Sequence, residues 1–301
     1  MNKKLLVVAG PTASGKTTLA IQLAQQYQTI ILSGDSRQFY KEMHIGTAKP
    51  TPEELVAAPH HLVGHRSIHE AYNVGDFERE ALALLHAHYQ THDWAVLVGG
   101  SGLYLKALCE GLDHYPVVPV AVRDALVQVW NTKGLAALQE ELAVSDPVYH
   151  AQVDLQNPHR LIRALEICRH TGQPFSSFRN QPKPPRPFQA LTIAIDWDRA
   201  ALYERINQRV DQMIQAGLVE EARALYPHHQ LNALQTVGYQ ELFAYFDGTI
   251  DLPIAIELIK RNSRRYAKRQ LTWLRRDTAI HWVAPDAPLA DLVAWIDRAV
   301  G

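Results

Sequence analysis

Leu5-Leu6-Val7-Val8-Ala9 runs directly into Gly10-Pro11-Thr12-Ala13-Ser14-Gly15-Lys16-Thr17-Thr18. A short apolar run closed by a glycine turn reads as a buried strand, and the spacing Gly10-x4-Gly15-Lys16-Thr17 is that of a phosphate-binding loop. Backbone without side chains can wrap closely around phosphate oxygens, several N–H groups point inward, and the positive N-terminal end of the next helix lies beneath them. Lys16 adds a point charge and Thr17 a hydroxyl for Mg2+. Leu19, Ala20, Ile21, Leu23 and Ala24 supply the apolar face of that helix. Strand, loop and helix in this order predict an α/β fold, a P-loop NTPase-like parallel sheet core flanked by helices. Its ligands are expected at the C-terminal ends of the strands.

The loop holds a phosphate chain, and the remainder of the sequence must say whose. The 301 residues are enough for one large or two ordinary domains, and 47% hydrophobic with 20% charged residues is a soluble globular profile. The apolar run after Met-Asn-Lys-Lys is too short for a signal peptide, and no stretch approaches a membrane span, so a cytoplasmic protein without membrane contact is expected. Cys109 and Cys168 are too few for a disulfide framework or a four-thiolate metal site. A formal net charge of −1 hides an uneven distribution, because basic residues crowd towards the C-terminus.

A second buried strand is expected over 30–33, followed by the turn Gly34-Asp35-Ser36-Arg37-Gln38. At that strand end Asp35 and Ser36 should face the same crevice as the phosphate loop; taken alone, Asp35 is also a good turn or capping residue. Met43-His44-Ile45-Gly46-Thr47-Ala48-Lys49-Pro50 reads as a loop whose chemistry its spacing does not reveal. His60, His61, His65 and His69 invite a zinc reading, but Gly64 and Pro59 interrupt helical spacing and no cysteine is near, so surface or capping roles are favoured. A helix is expected over 77–88 and a third strand over 94–98, ending in Gly99-Gly100-Ser101-Gly102. Phosphate-loop kinases often place a magnesium-binding Asp at such a strand end. The Gly-Gly-Ser turn here suits close approach to a substrate, with one hydroxyl from Ser101.

Proline-rich borders near 113–119 and 181–187 enclose helical patterns, and a strand resumes over 190–195. The expected organisation is therefore a first part of the core over 1–113, a small helical insertion over 114–189, and a second part of the core over 190–301. In the insertion Asn157-Pro158-His159-Arg160 opens an amphipathic helix whose Leu161, Leu165 and Cys168 can pack inward, with Arg160 and Arg163 on another face that two arginines alone would leave as a solvated surface. A helix pair follows over 199–224, with Gly217 as cap or break and Arg205 and Arg209 four apart on one face. The long helix Arg261-Asn262-Ser263-Arg264-Arg265-Tyr266-Ala267-Lys268-Arg269-Gln270-Leu271-Thr272-Trp273-Leu274-Arg275-Arg276 contains no acidic residue. Its core face is expected to be Ile259, Tyr266, Ala267, Leu271 and Leu274, and its remaining basic face is a footprint for a polyphosphate such as a nucleic-acid backbone. A last strand over 280–283 and a helix over 289–299 complete the core.

Taken in order, these segments resemble the tRNA dimethylallyltransferases, also called tRNA isopentenyltransferases, in their compact bacterial form. The resemblance runs through the phosphate loop, Asp35-Ser36-Arg37-Gln38-Phe39-Tyr40, Ile45-Gly46-Thr47-Ala48-Lys49-Pro50, Pro59-His60-His61-Leu62, Val98-Gly99-Gly100-Ser101-Gly102-Leu103-Tyr104, Arg160-Leu161-Ile162-Arg163-Ala164-Leu165-Glu166 and Tyr266-Ala267-Lys268-Arg269-Gln270-Leu271-Thr272-Trp273. It implies transfer of a dimethylallyl group from dimethylallyl diphosphate to the exocyclic N6 amine of the adenosine 3′ of the anticodon. Gly10, Pro11, Thr12, Ala13, Ser14, Gly15, Lys16 and Thr17 would hold the diphosphate with one of Arg205 and Arg209, of which Arg209 is the choice; Thr17 would hold Mg2+, and Asp35 would accept the amine proton, with Ser101, Lys16 and Thr17 completing the catalytic set. The resemblance further implies that Asp35, Ser36, Arg37, Gln38, Ser101, Arg123, His159, Arg160, Leu161, Ile162 and Arg163 contact the tRNA anticodon stem-loop; the charge pattern adds Arg265 and Lys268. A monomer is expected.

Ser101 stands where the family usually has Thr, Phe39 replaces a commoner Val, and Gln235-Thr236-Val237-Gly238-Tyr239-Gln240-Glu241 departs from the family's apolar-Gly-Tyr-Lys/Arg-Glu pattern. Three rival functions differ in what they leave unused. An adenylate isopentenyltransferase has little need of the basic helix, a small-molecule kinase needs dedicated ATP recognition, and a non-catalytic RNA-binding protein leaves Lys16, Thr17 and Asp35 without purpose.

Overall fold

In the computed structural model, which describes residues 3–300, the apolar runs form β1 (Lys4–Ala9), β2 (Ile31–Ser33), β3 (His60–His61), β4 (Trp94–Gly99), β5 (Gln189–Ile195) and β6 (His281–Val283). They pair as one six-stranded sheet in the order β3-β2-β4-β1-β5-β6, every pairing parallel. β1 is central, with Lys4 opposite Trp94 on one side and Gln189 on the other. Leu5 to Ala9 are all buried because both faces of the sheet are covered, as a parallel sheet requires. Leu5, Val7 and Ala9 pack with Leu97, Phe77 and Leu105, whereas Leu6 and Val8 pack with Val96, Ile21, Leu23 and Ile296.

The helices connecting these strands are α1 (Lys16–Gln26), α2 (Pro52–Ala57), α3 (Val74–His88), α4 (Gly102–Glu110), α5 (Val120–Ser145), α6 (Pro147–His150), α7 (Pro158–Thr171), α8 (Arg199–Gln215), α9 (Leu218–Leu225), α10 (Tyr239–Phe246), α11 (Leu252–Leu274) and α12 (Leu289–Val300). Their ends follow local chemistry. Asn73 caps α3 in a reciprocal box with Asp76, and Thr51 does the same for α2 with Glu54. The expected pair over 199–224 is broken by Gly217, whose φ of 101° opens α9. β3 corrects the reading of the histidine cluster. His60 and His61 pair with Ile31 and Leu32 as an edge strand, which two polar residues without alternation cannot announce. His65 instead meets Glu80 at 3.2 Å and packs edge-on against Phe39 and Tyr72. Among the described residues, no helix is long and apolar enough to cross a membrane.

The chain divides into two compact units. One contains the sheet and comprises the residues up to Glu110 and from Arg186 onward; there Arg186 reaches Glu78 and the Ala107 carbonyl ahead of β5. The other, Gly111–Pro185, is helical. Its α5 is interrupted at Gly134, where φ is 79°. α7 starts where Asn157 accepts from the Arg160 N–H (3.2 Å), with Pro158 in the first turn, and ends at Gly172, φ 68°. Leu126, Leu138, Leu142, Leu161, Ile162, Leu165 and Phe175 form this unit's own core.

Candidate active site

Gly15 takes a left-handed conformation (φ 87°) at the head of α1, and Ala13 shares that region with φ 64°. Two side chains hold the loop carbonyls outward: Trp197 Nε1 donates to Ser14 O (2.9 Å) and Arg205 Nε to Ala13 O (2.9 Å). Gly15, Lys16 and Thr17 therefore open α1 with first-turn N–H groups that have no acceptor inside the helix. Ser14 Oγ is buried without a hydrogen-bond partner among the described residues. A loop so arranged is built for an anion.

These residues line a cavity of about 490 Å³ that also receives Asp35, Arg37, Gln38, residues 46–49, Arg209, residues 236–238 and Tyr266. Burial pulls the Lys16 ammonium down to about 8, with Asp35 opposing and Arg209 reinforcing the shift. Burial likewise lowers Arg209, which Asp35 and Glu54 oppose and Arg205 reinforces. Lys16 and Arg209, both half-buried and lining one cavity, favour a negatively charged ligand there. Arg205 and Arg209 both line the cavity with Lys16, but Arg205 also braces the loop through Ala13 O while stacked 4.4 Å from Trp197. The rest of the wall is mixed, with the apolar side chains of Ile206, Val210, Met213, Leu218, Val237 and Ile259 beside the polar ones of Glu54, Gln208, Gln212 and Ser263. Residues 236–238, whose sequence departs from the family pattern, thus form part of the site.

Asp35 acts as a turn residue and lines the cavity at once. Its Oδ1 accepts from the Arg37 N–H (3.0 Å), and its second carboxylate oxygen has no hydrogen-bond partner among the described residues. Ser101 Oγ accepts from the Ser36 N–H and donates to Ser36 Oγ, both at 3.2 Å, so it ties the β4 end to the Asp35 turn. Tyr266 adjoins them: burial raises its phenol, Asp35 adds to the rise, and a hydrogen bond to Ser101 opposes it. The guanidinium of Arg37 donates to the carbonyls of Asn232 (2.9 Å) and Gln235 (3.4 Å), and the Gln38 amide to those of Thr47 and Ala48. Both side chains are thus engaged in shaping the cavity.

Gln270 completes the site from α11. Its Oε1 accepts from the Thr12 N–H (3.1 Å) and its Nε2 donates to Gly100 O (2.8 Å), joining the phosphate loop to the β4 turn. A Cβ at Gly100 would run into this amide, and one at Gly102 into the Trp273 ring. An uncharged Gln inside a basic run gives no spacing signal, although it lies in the quoted Tyr266–Trp273 motif. Buried residues of α11 are Ala255, Ile259, Ala267, Gln270 and Leu274. Tyr266 and Leu271 are half-buried, and Arg265 and Lys268 are exposed.

The remaining residues assigned to tRNA lie in the helical unit. His159 and Arg160 are exposed at the start of α7. Arg123 (3.0 Å) and Arg163 both pair with the buried carboxylate of Glu166 while staying 46% and 44% exposed, so each keeps donors free for a ligand. Leu161 and Ile162 require correction: at 0% and 1% exposure they belong to the core of the helical unit and present no side chain to RNA. In an amphipathic helix, consecutive positions cannot all share the polar face.

The IPP transferase family model matches residues 38–277. The tRNA dimethylallyltransferase of Christiangramia forsetii is 53% identical over 300 residues, which is 100% of this chain and 99% of that protein. A tRNA dimethylallyltransferase of Bacteroides fragilis is 48% identical, covering 94% of each. The crystal structure of the tRNA isopentenylpyrophosphate transferase of Bacillus halodurans superposes with a TM-score of 0.74 at 36% identity, covering 99% of this chain and 97% of its own. A eukaryotic dimethylallyltransferase acting on tRNA gives a TM-score of 0.81 at 26% identity, covering 99% of this chain and 78% of its own.

Proposed function

This chain belongs to the IPP transferase family, its relatives are tRNA dimethylallyltransferases over its full length, and from that premise we propose how its site performs the reaction. Dimethylallyl diphosphate and tRNA are the substrates, and the acceptor is the N6 amine of the adenosine 3′ of the anticodon. The observation that carries this reading is the meeting, in one cavity, of two half-buried cations with a carboxylate and a group of apolar side chains.

The loop amides, Lys16 and Arg209 grip the diphosphate and neutralise the charge that grows on it as the allylic carbon–oxygen bond breaks. Ile206, Val210 and Met213 shield the hydrocarbon from water. The adenine amine is a weak nucleophile because its lone pair is delocalised into the ring. Asp35 orients it, the nitrogen forms the new bond to the allylic carbon, and the amine proton passes to the Asp35 carboxylate as diphosphate leaves. Ser101 holds the turn that carries Asp35 and serves chemistry through it.

Mg2+ takes a few oxygen ligands from protein and the rest from phosphate and water. The donors here fit that habit: Thr17 lines the cavity, Ser14 Oγ is a buried oxygen without a partner, and no group of three or more His, Cys, Asp or Glu among the described residues forms an all-protein site. When bound there through Thr17, the ion would add positive charge at the leaving group.

On the RNA side, Arg160, His159, Arg123 and Arg163 of the helical unit and Arg265 and Lys268 of α11 engage phosphates, and the enzyme works as a cytoplasmic monomer. The test is incubation with dimethylallyl diphosphate and unmodified tRNA, in parallel with ATP and the same tRNA, followed by mass analysis of the RNA. A single dimethylallyl addition on the adenosine with release of diphosphate is the expected result; ADP released in step with turnover would overturn it in favour of a kinase.

A further inference from the structure

Residues 46–49 form a wall of the cavity, and besides the loop's own turn hydrogen bonds one carboxylate on α9 holds three of the amides that lead into it. Glu221 Oε2 accepts from the N–H groups of His44 (3.0 Å) and Ile45 (2.8 Å). Oε1 accepts from the Gly46 N–H (2.9 Å) and the Tyr239 hydroxyl (2.7 Å). Successive amides aimed at one point make a nest that is stable only around an anion. Gly46 closes the arrangement, because a Cβ there would lie 2.6 Å from atoms of the Tyr239 ring. Tyr239 is itself fully buried, and burial together with the Glu221 charge raises its phenol, which keeps it a donor. The start of α10 is fixed in turn: Glu241 accepts from the Gly238 N–H (2.8 Å) and from Asn262 of α11 (2.7 Å).

The far side of the loop leads to the reacting centre. Gln38 Nε2 donates to Thr47 O (3.2 Å) and Ala48 O (3.0 Å), and its Oε1 accepts from the Ser33 hydroxyl (3.1 Å). The Asp35 N–H in turn donates to Ser33 Oγ (3.4 Å). Glu221 and Tyr239 do not line the cavity themselves. We infer that they are positioning residues for prenyl transfer. They lock the 44–48 loop, and through Gln38 and Ser33 that loop sets the placement of Asp35. The inference rests on the assignment of Asp35 as proton acceptor made above.

The test compares Glu221→Gln, which keeps the shape but turns an amide NH2 towards backbone donors, with Tyr239→Phe, which keeps the ring against Gly46 and removes one donor. In Glu221→Gln the single-turnover rate with both substrates saturating should fall by roughly tenfold or more, since a small misplacement of a reacting group can cost about a hundredfold. The dissociation constant for dimethylallyl diphosphate, set by Lys16 and the phosphate loop, should change by less than about threefold, a loss confined to the chemical step. Tyr239→Phe should show the same split more weakly. Hydrogen exchange should accelerate at the amides of His44, Ile45 and Gly46 while β1 and β4 keep their protection.

An unchanged rate despite exposed loop amides would overturn the inference. So would weakened donor binding at an unchanged rate, or loss of protection throughout the sheet. Asp35→Asn measured alongside separates the two readings. An intact rate there removes the proton-acceptor assignment itself, whereas a loss at Asp35 with none at Glu221 removes only the clamp.

Discussion

Asp35 and Lys16 sit in one cavity and perform different tasks, so their variants should fail differently. Asp35→Ala removes the proposed proton acceptor, and the single-turnover rate should fall by about 10²–10⁴, the usual contribution of a general base. Its tRNA dissociation constant should stay within a few-fold of wild type; a rate loss under about tenfold would remove the assignment. Lys16 carries a pH signature instead. Burial holds it at about 8, against 10.5 for an ordinary lysine, so the ammonium proposed to grip the diphosphate is present below that pH and is lost as pH rises through it. The KM for dimethylallyl diphosphate should therefore climb above about pH 8, and Lys16→Arg should flatten the climb, since a guanidinium remains charged. The same shift acts on stability with the opposite sense. Between about 8 and 10.5 the unfolded chain binds more protons than the folded one, so the ligand-free protein should gain stability with rising pH across that window. Thermal unfolding against pH, with and without diphosphate, checks both signs.

At the scale of elements, α11 shows what a sequence discloses and what it withholds. Its exposed basic face was legible because charge is carried by residue type, and the apolar positions Ile259, Ala267 and Leu274 were legible because burial follows helical period. Gln270 and Trp273 were not. Their work is to meet backbone from distant segments, Thr12, Gly100 and Gly102, and no local pattern encodes such a meeting. β3 stayed hidden for a related reason, since a two-residue edge strand is defined by its neighbour β2 rather than by its own residues. The exposed face has its own test. Charge reversal at Arg265 and Lys268 should weaken tRNA binding and lower the slope of log affinity against log salt by about 1.4–1.8, two phosphates at the single- or double-strand value. The rate on saturating RNA should change little. An unchanged slope would hand the phosphate contacts to Arg160 and Arg163.

For the whole molecule, the division into a sheet unit and a helical unit separates the residues proposed to hold the donor from part of those proposed to hold the RNA. The phosphate loop, Asp35, Arg209 and α11 all belong to the sheet unit, whose central strand and glycine turns were readable as strand, loop and helix in sequence order. Leu161 was readable from helical period as packing inward with Leu165 and Cys168, against the RNA role that the motif implied for it, whereas Ile162 was not: a motif names consecutive residues, and only burial tells which of them face the core. Leu161→Ala should consequently act through the helical unit's own packing, at a cost of about 2–5 kcal/mol as the methyl groups leave a cavity behind. Calorimetry should show an earlier unfolding step, and tRNA affinity should fall with it, while dimethylallyl diphosphate still binds normally to the intact loop. Arg160→Ala, exposed on the same helix, should instead lower tRNA affinity and its salt slope without moving the unfolding temperature. If Leu161→Ala weakened tRNA binding at an unchanged unfolding temperature, Leu161 would be a contact residue, and its burial in the ligand-free helical unit would have to give way when RNA binds.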